Sequence, residues 1–259
     1  MKQKPVIKMF TSVKKYYKFI SPAVLGVLLC GLFVFAKNRY RDADFGASFG
    51  TKATSAKETI QHMNSSFELC SKACNSSVQC MQSIVFPEVM RFHELKDDIE
   101  TESLLTLYVQ FGKEYANFSI GIFQMKPSFA EELEQKAKLL LSKELYGELQ
   151  LHYNESEPTA IRLERIERLR DADWQLIYLT AFVGVCNKLY AHKKFSSEEE
   201  RMQWYATVYN AGFNKSDNYI TQKIGQENFY LQQGMPGKKF RYAAIAKWFY
   251  SGMVQTPVP

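Results

Sequence analysis

The first 41 residues contain no aspartate and no glutamate, yet Lys2, Lys4, Lys8, Lys14, Lys15, Lys18, Lys37, Arg39 and Arg41 all stand there. Setting those nine aside from the 33 Lys and Arg leaves 24 against 27 Asp and Glu, a net charge of −3 over 42–259 beneath the formal +6 of the whole. The larger part of the chain thus lacks the basic field that nucleic-acid binding needs, which excludes nucleic acid as a partner. Strand signals are few and no internal repeat is present, so helices must build the fold. Histidine is scarce, at four residues. Neither His62 nor His93 completes a standard zinc spacing with Cys70, Cys74 and Cys80, so neither a metal nor another cofactor is expected.

What is present is enough for one domain with appendages. Hydrophobic residues make up 46% of the 259, which supplies a packed core and excludes global disorder. Phe19 to Ala36 is an 18-residue apolar run broken only by Ser21, Pro22 and two glycines, with six lysines before it. It reads as a signal anchor or a signal peptide with the lysines held on the cytoplasmic side. Arg39 and Arg41 would mark the outer edge of a retained anchor, whereas Val34-Phe35-Ala36 would serve as a poor cleavage site. Residues 1–41 are thus a basic leader with a membrane segment, and 42–55, small and polar, read as a linker. Residues 56–259 form the domain.

Helical patterns are expected over 56–74, 77–93, 98–114, 128–144, 160–192, 197–211 and 240–252. Leu176, Ile177, Leu179, Thr180, Val183 and Val185 make one of these apolar on most sides, as a central core helix should be. Ser196-Ser197-Glu198-Glu199 reads as an N-terminal cap, and Ser128-Phe129-Ala130-Glu131 as a capping box. The charges alternating from Arg162 to Arg170 read as a solvated helix face. Cys70, Cys74, Cys80 and Cys186 are an even set in an exported domain and fit one or two disulfides. Asn-x-Ser/Thr triplets begin at Asn64, Asn75, Asn117, Asn154 and Asn214; a eukaryotic secreted protein is the alternative they raise.

Three stretches carry candidate chemistry. In Ser119-Ile120-Gly121-Ile122-Phe123-Gln124-Met125-Lys126-Pro127 one glutamine is set among apolar residues, and Gly121 permits a tight backbone path. A buried amide there is either satisfied by the fold or turned to a ligand. In Ile84-Val85-Phe86-Pro87-Glu88-Val89-Met90 a lone carboxyl stands among apolar neighbours just after a proline that breaks the helical pattern. Desolvation would keep such a carboxyl protonated near neutrality, as a general acid needs. The local alternative is an ion pair of Glu88 with Arg91 at i+3. Tyr209-Asn210-Ala211-Gly212 reads locally as a helix end with a glycine cap.

The first and third stretches together resemble the Ser-x-Gly-Leu-Met-Gln-x-x-Pro and Tyr-Asn-Ala-Gly motifs of lytic transglycosylases and goose-type lysozymes. The resemblance spans roughly Gln79 to Gly212. It implies a mainly α, lysozyme-like fold and cleavage of the glycan strands of peptidoglycan in a bacterial cell envelope, at the periplasmic face of the inner membrane or free in the periplasm. It implies Glu88 as the single acid/base, with a 1,6-anhydro product. Ser119, Gly121, Gln124, Tyr209 and Asn210 would line the sugar cleft, with Tyr209 or Asn210 orienting the acid. Two departures stand out. The family's glutamate is followed by serine, whereas Val89 follows Glu88, and the gap from Glu88 to Gly121 is long. Glu102-Ser103 restores the serine and shortens the gap, but its neighbours are polar, so Glu102 is the alternative acid. The extra length implies an inserted helix over about 98–114 as one wall of the cleft. A hydrolytic muramidase on the same fold, or an inactive peptidoglycan-binding or envelope scaffold, are the alternative functions.

Overall fold

The computed structural model describes residues 45–92, 98–231 and 238–255. The chain divides into two compact units, Met1–Ser48 and Phe49–Pro259; of the first, only the opening turn of one helix is described. The apolar run Phe19–Ala36, with its retention or cleavage, lies outside the described residues. Among the described residues no helix is long and apolar enough to cross a membrane.

Helices dominate, as expected. In chain order they are α1 (Phe45–His62), α2 (Asn64–Ala73), α3 (Val78–Phe92), α4 (Asp98–Phe111), α5 (Pro127–Leu140), α6 (Lys143–Glu148), α7 (Pro158–Arg170), α8 (Ala172–Leu189), α9 (Glu198–Ala211), α10 (Asp217–Ile224) and α11 (Tyr242–Gln255). No strand ladder forms among the described residues; Ile120 with Met125 and Phe229 with Phe240 make isolated antiparallel bridges. Residues 45–55 are helical, not a linker. Gly50 kinks α1 at φ 46°, and Phe49, Ala53 and Ala56 beyond are buried. Phe49 packs on Phe240 and Trp248 with ring centroids 5.2 and 5.7 Å away, and burying that ring outweighs two helix glycines.

The expected helix over 160–192 is two helices. Asp171 ends α7 in an extended conformation and caps α8 by accepting from Trp174 N. Ser197 caps α9 by accepting from Glu200 N, and Glu200 returns the bond to Ser196. The capping box at Ser128 does not form. Pro127 opens α5 directly, and Ser128 N donates instead to Asn117 Oδ1 at 3.3 Å. Pro87 sits inside a continuous α3 rather than ending it.

Two groups of helices pack together. In one, α8 lies against α2, α5 and α7, with α4 on α7; in the other, α3, α9 and α11 pack mutually. Leu176, Leu179, Thr180, Val183 and Val185 of α8 are buried, as a central helix requires. Phe249 of α11 stacks on Phe86 of α3 at 4.0 Å, so the C-terminal helix completes the core. Arg165 and Arg168 overturn the solvated reading of α7, for each is only 6% exposed. Alternating charge at helical spacing is the same pattern whether it meets water or a buried partner. Disulfides are absent among the described residues: Cys70, Cys74, Cys80 and Cys186 are free, and the last three are buried. Burial pushes the Cys74 thiol up to about 12 and Cys80 to about 11, the behaviour of inert core thiols.

Candidate functional site

A cleft of about 540 Å³ opens where the two helix groups meet. Glu88 and Arg91 of α3 line one side, Ser119, Gln124 and Lys126 another, and Tyr209 and Asn210 close it from α9. Five of the expected site residues therefore share one cavity, although up to 122 positions separate Glu88 from Asn210.

Glu88 sits there because α3 is buried on all sides. Cys80, Met81, Ile84, Val85, Phe86, Val89 and Met90 are each fully buried around it. Glu88 itself is 5% exposed. Desolvation pushes its carboxyl up to about 7, against the opposing pull of Arg91 and Lys126. The i+3 pair is present, with Arg91 Nη1 3.6 Å from Glu88 Oε2. That is too long for a hydrogen bond, and Oε2 is buried without a hydrogen-bond partner. Attraction from one partly exposed guanidinium does not outweigh burial, so the pair does not hold the carboxyl ionised.

Gln124 closes a tight loop. Ile120 and Met125 exchange backbone hydrogen bonds at 2.9 and 3.1 Å, and the four residues between must turn. Gly121 turns at φ 68° and Gln124 at φ 51°. The left-handed region costs a non-glycine residue on the order of 1 kcal/mol. Gln124 Nε2 donates to the Gly121 carbonyl at 2.8 Å. Because a carbonyl only accepts, this bond fixes which end of the amide faces outward. Gln124 Oε1 is then a buried acceptor without a partner in a residue 7% exposed, beside the cleft.

Gln175, absent from the sequence expectations, holds this loop. It is wholly buried in α8. Its Oε1 accepts from Phe123 N at 2.6 Å, and its Nε2 donates to the carbonyls of Ile120 and Leu169. A Cβ on Gly121 would land on Gln175 Nε2 and lie 2.5 Å from the Leu169 carbonyl oxygen. Gly121 does not line the cleft; it makes room for the amide that shapes it. Gly121→Ala is expected to cost about 3 kcal/mol or more in urea unfolding, from left-handed strain, displacement of Gln175 and newly unpaired buried groups. A cost under about 1 kcal/mol would mean that Gln175 moves aside freely. The sequence signal for Gln175 is an amide placed directly before the largely apolar run Leu176–Cys186.

Other expectations need correction. Tyr209 does not orient the acid through its hydroxyl, which donates to the Phe123 carbonyl at 2.8 Å and ties α9 to the Gln124 loop. Glu102 is exposed, pairs with Arg170 and does not line the cleft. The inserted helix α4 forms, but it packs on α7. The turn after it supplies the wall, through Lys113 and Asn117. Lys126 and Lys215 add two more cations to the rim. Among the described residues no three His, Cys, Asp or Glu side chains gather as metal ligands.

The chain matches no protein-family model, no curated protein and no solved structure.

Proposed function

We propose that this protein cleaves the glycan strands of bacterial peptidoglycan between N-acetylmuramyl and N-acetylglucosamine residues, as a lytic transglycosylase-like enzyme on a lysozyme-like fold. Its leader would deliver it to, or hold it at, the periplasmic face of the inner membrane. The observation that carries the proposal is Glu88, a buried carboxyl lining the cleft with its proton retained to about pH 7. In this reading Glu88 protonates the glycosidic oxygen as the C–O bond breaks. The resulting carboxylate takes the proton of the muramyl C6 hydroxyl while that oxygen closes on C1. A 1,6-anhydro ring forms, and the acid is regenerated without a second carboxylate. Gln124 Oε1, unpartnered and buried, accepts a hydroxyl or amide N–H of the bound strand.

Hydrolysis on the same site is the second reading, because Glu132 also lines the cleft and two carboxylates are the usual glycosidase set. Mass spectrometry of sacculi digested by the full chain separates the two. Anhydro-muramyl ends are expected; reducing ends would establish hydrolysis instead. Sacculi bound but left intact would reduce the protein to a binding or scaffold role.

A further inference from the structure

Phe111 and Tyr115 are 59% and 67% exposed, and their rings lie 5.2 Å apart at 44°. Their exposure is not that of a loose end. Arg162 donates to the carbonyls of Val109 at 2.7 Å and Gln110 at 3.1 Å, capping the end of α4. Gly112 N donates to the Tyr108 carbonyl at 2.7 Å, and Tyr115 N to the Gly112 carbonyl at 3.1 Å. Tyr108 below is wholly buried and donates its hydroxyl to Glu131 at 2.8 Å. A turn pinned this firmly holds two large rings in water.

The same turn reaches the cleft. Lys113 and Asn117 alternate with the two rings in sequence and both line the cavity. Lys113 is anchored on Glu131 at 3.0 Å, and Asn117 Oδ1 accepts from Ser128 N at 3.3 Å. A cavity of about 540 Å³ is the size of a small-ligand pocket, so a polymer bound in it must run on past its rim. We infer that Phe111 and Tyr115 form an accessory saccharide platform at the cleft mouth, on which further sugars of the glycan strand stack. This rests on the glycan reading of the cleft. A sugar's C–H face is apolar and slightly positive, and an aromatic face is apolar and negative, so the two suit each other. The polar neighbours Lys113, Glu114 and Asn117 match hydroxyls, whereas a dry protein contact would strip them of water without return.

The test compares the full chain with a Phe111→Ala/Tyr115→Ala double variant. Calorimetric affinities are measured for a peptidoglycan tetrasaccharide and for long glycan strands. The double variant is expected to lose about ten-fold affinity for long strands, with tetrasaccharide affinity and thermal midpoint unchanged. Loss shared equally by both ligands, or by neither, would overturn the platform while leaving the cleft reading intact. If the unaltered chain bound neither ligand, the glycan reading itself would fall and the platform with it. If the double substitution instead abolished a dimer seen in solution, the rings would be an interface between copies, and the inference would be wrong.

Discussion

Glu88→Gln is expected to cut the proposed glycan cleavage sharply and, in the same molecule, to stabilise the fold above neutral pH. The loss of activity should be about 10²- to 10⁴-fold, the usual contribution of a positioned general acid. The stability change follows from proton linkage. The Glu88 carboxyl holds its proton to about 7 in the folded chain, against an ordinary value of 4.5. Between those values the folded state binds more protons than the unfolded state, so stability falls as pH rises. The favourable contribution is full below the ordinary value, declines through about pH 7 and is gone above it. At 1.36 kcal/mol per pKa unit the interval is on the order of 3 kcal/mol.

Glutamine keeps the shape and never ionises, so this decline should vanish in the variant. Arg91 loses its counter-charge, but its side chain is 21% exposed and keeps contact with water. Urea unfolding at pH 5 and pH 8 would read the effect. Near-equal stabilities at pH 5 and a more stable variant at pH 8 are expected. Parallel decline of both proteins would mean that another group carries the linkage. Cleavage by the unaltered chain should likewise fade as pH rises past about 7, because only the protonated acid can act. Glu102→Gln serves as the control. Its carboxyl is exposed and outside the cleft, so neither readout should move.

Glu88 was legible because one carboxyl in an apolar helix is a local signal that needs no partner to be seen. The apolar surroundings that made it conspicuous in the sequence are the burial that raises its pKa. Gln124 was legible for the same reason. Its left-handed backbone was not, since Gly121 advertises a turn but not where the turn ends. Gln175 escaped because its partners in the Gln124 loop, the Phe123 N–H and the Ile120 carbonyl, stand 52 and 55 residues before it, and no short-range pattern links a side chain to distant backbone groups. Pro87 misled in one respect. A proline removes one hydrogen bond from a helix, but packing of α3 against α9 and α11 keeps the helix continuous through it. The helix expected over 240–252 was legible as a pattern but its role was not, because α11 completes the core by what it covers, Phe86 above all, and not by any motif of its own.

The largest structural effect is expected at Arg165, in the stretch that looked like a solvated face. Arg165 grips Glu134 with Nε and Nη2 at 2.9 and 2.7 Å, and its Nη1 donates to the Tyr108 hydroxyl at 2.8 Å. Tyr153 and Tyr178 add their hydroxyls to Glu134 Oε1. The cluster thereby joins α4, α5, α7 and α8. Arg165→Met would remove the cation and leave Glu134, with a side chain only 11% exposed, held by tyrosines alone. Breaking one side of a buried pair costs about 3–5 kcal/mol, because the remaining charge has lost its compensation. Adding Glu134→Leu should recover part of that loss, since burying a pair is itself expensive and apolar replacements of similar size often break even. A double-mutant cycle in urea should then give a coupling energy of about 1–3 kcal/mol. Costs that simply add would mean that the two charges do not depend on each other. The cluster also bears on the cleft, because α5 carries both Glu134 and the wall residues Ser128 and Glu132. Arg165→Met should therefore weaken the proposed glycan binding through the position of α5, whereas Glu88→Gln should spare that binding and remove only the proposed turnover. Measuring both variants for affinity and for cleavage separates the group that acts on the substrate from the group that holds the wall in place.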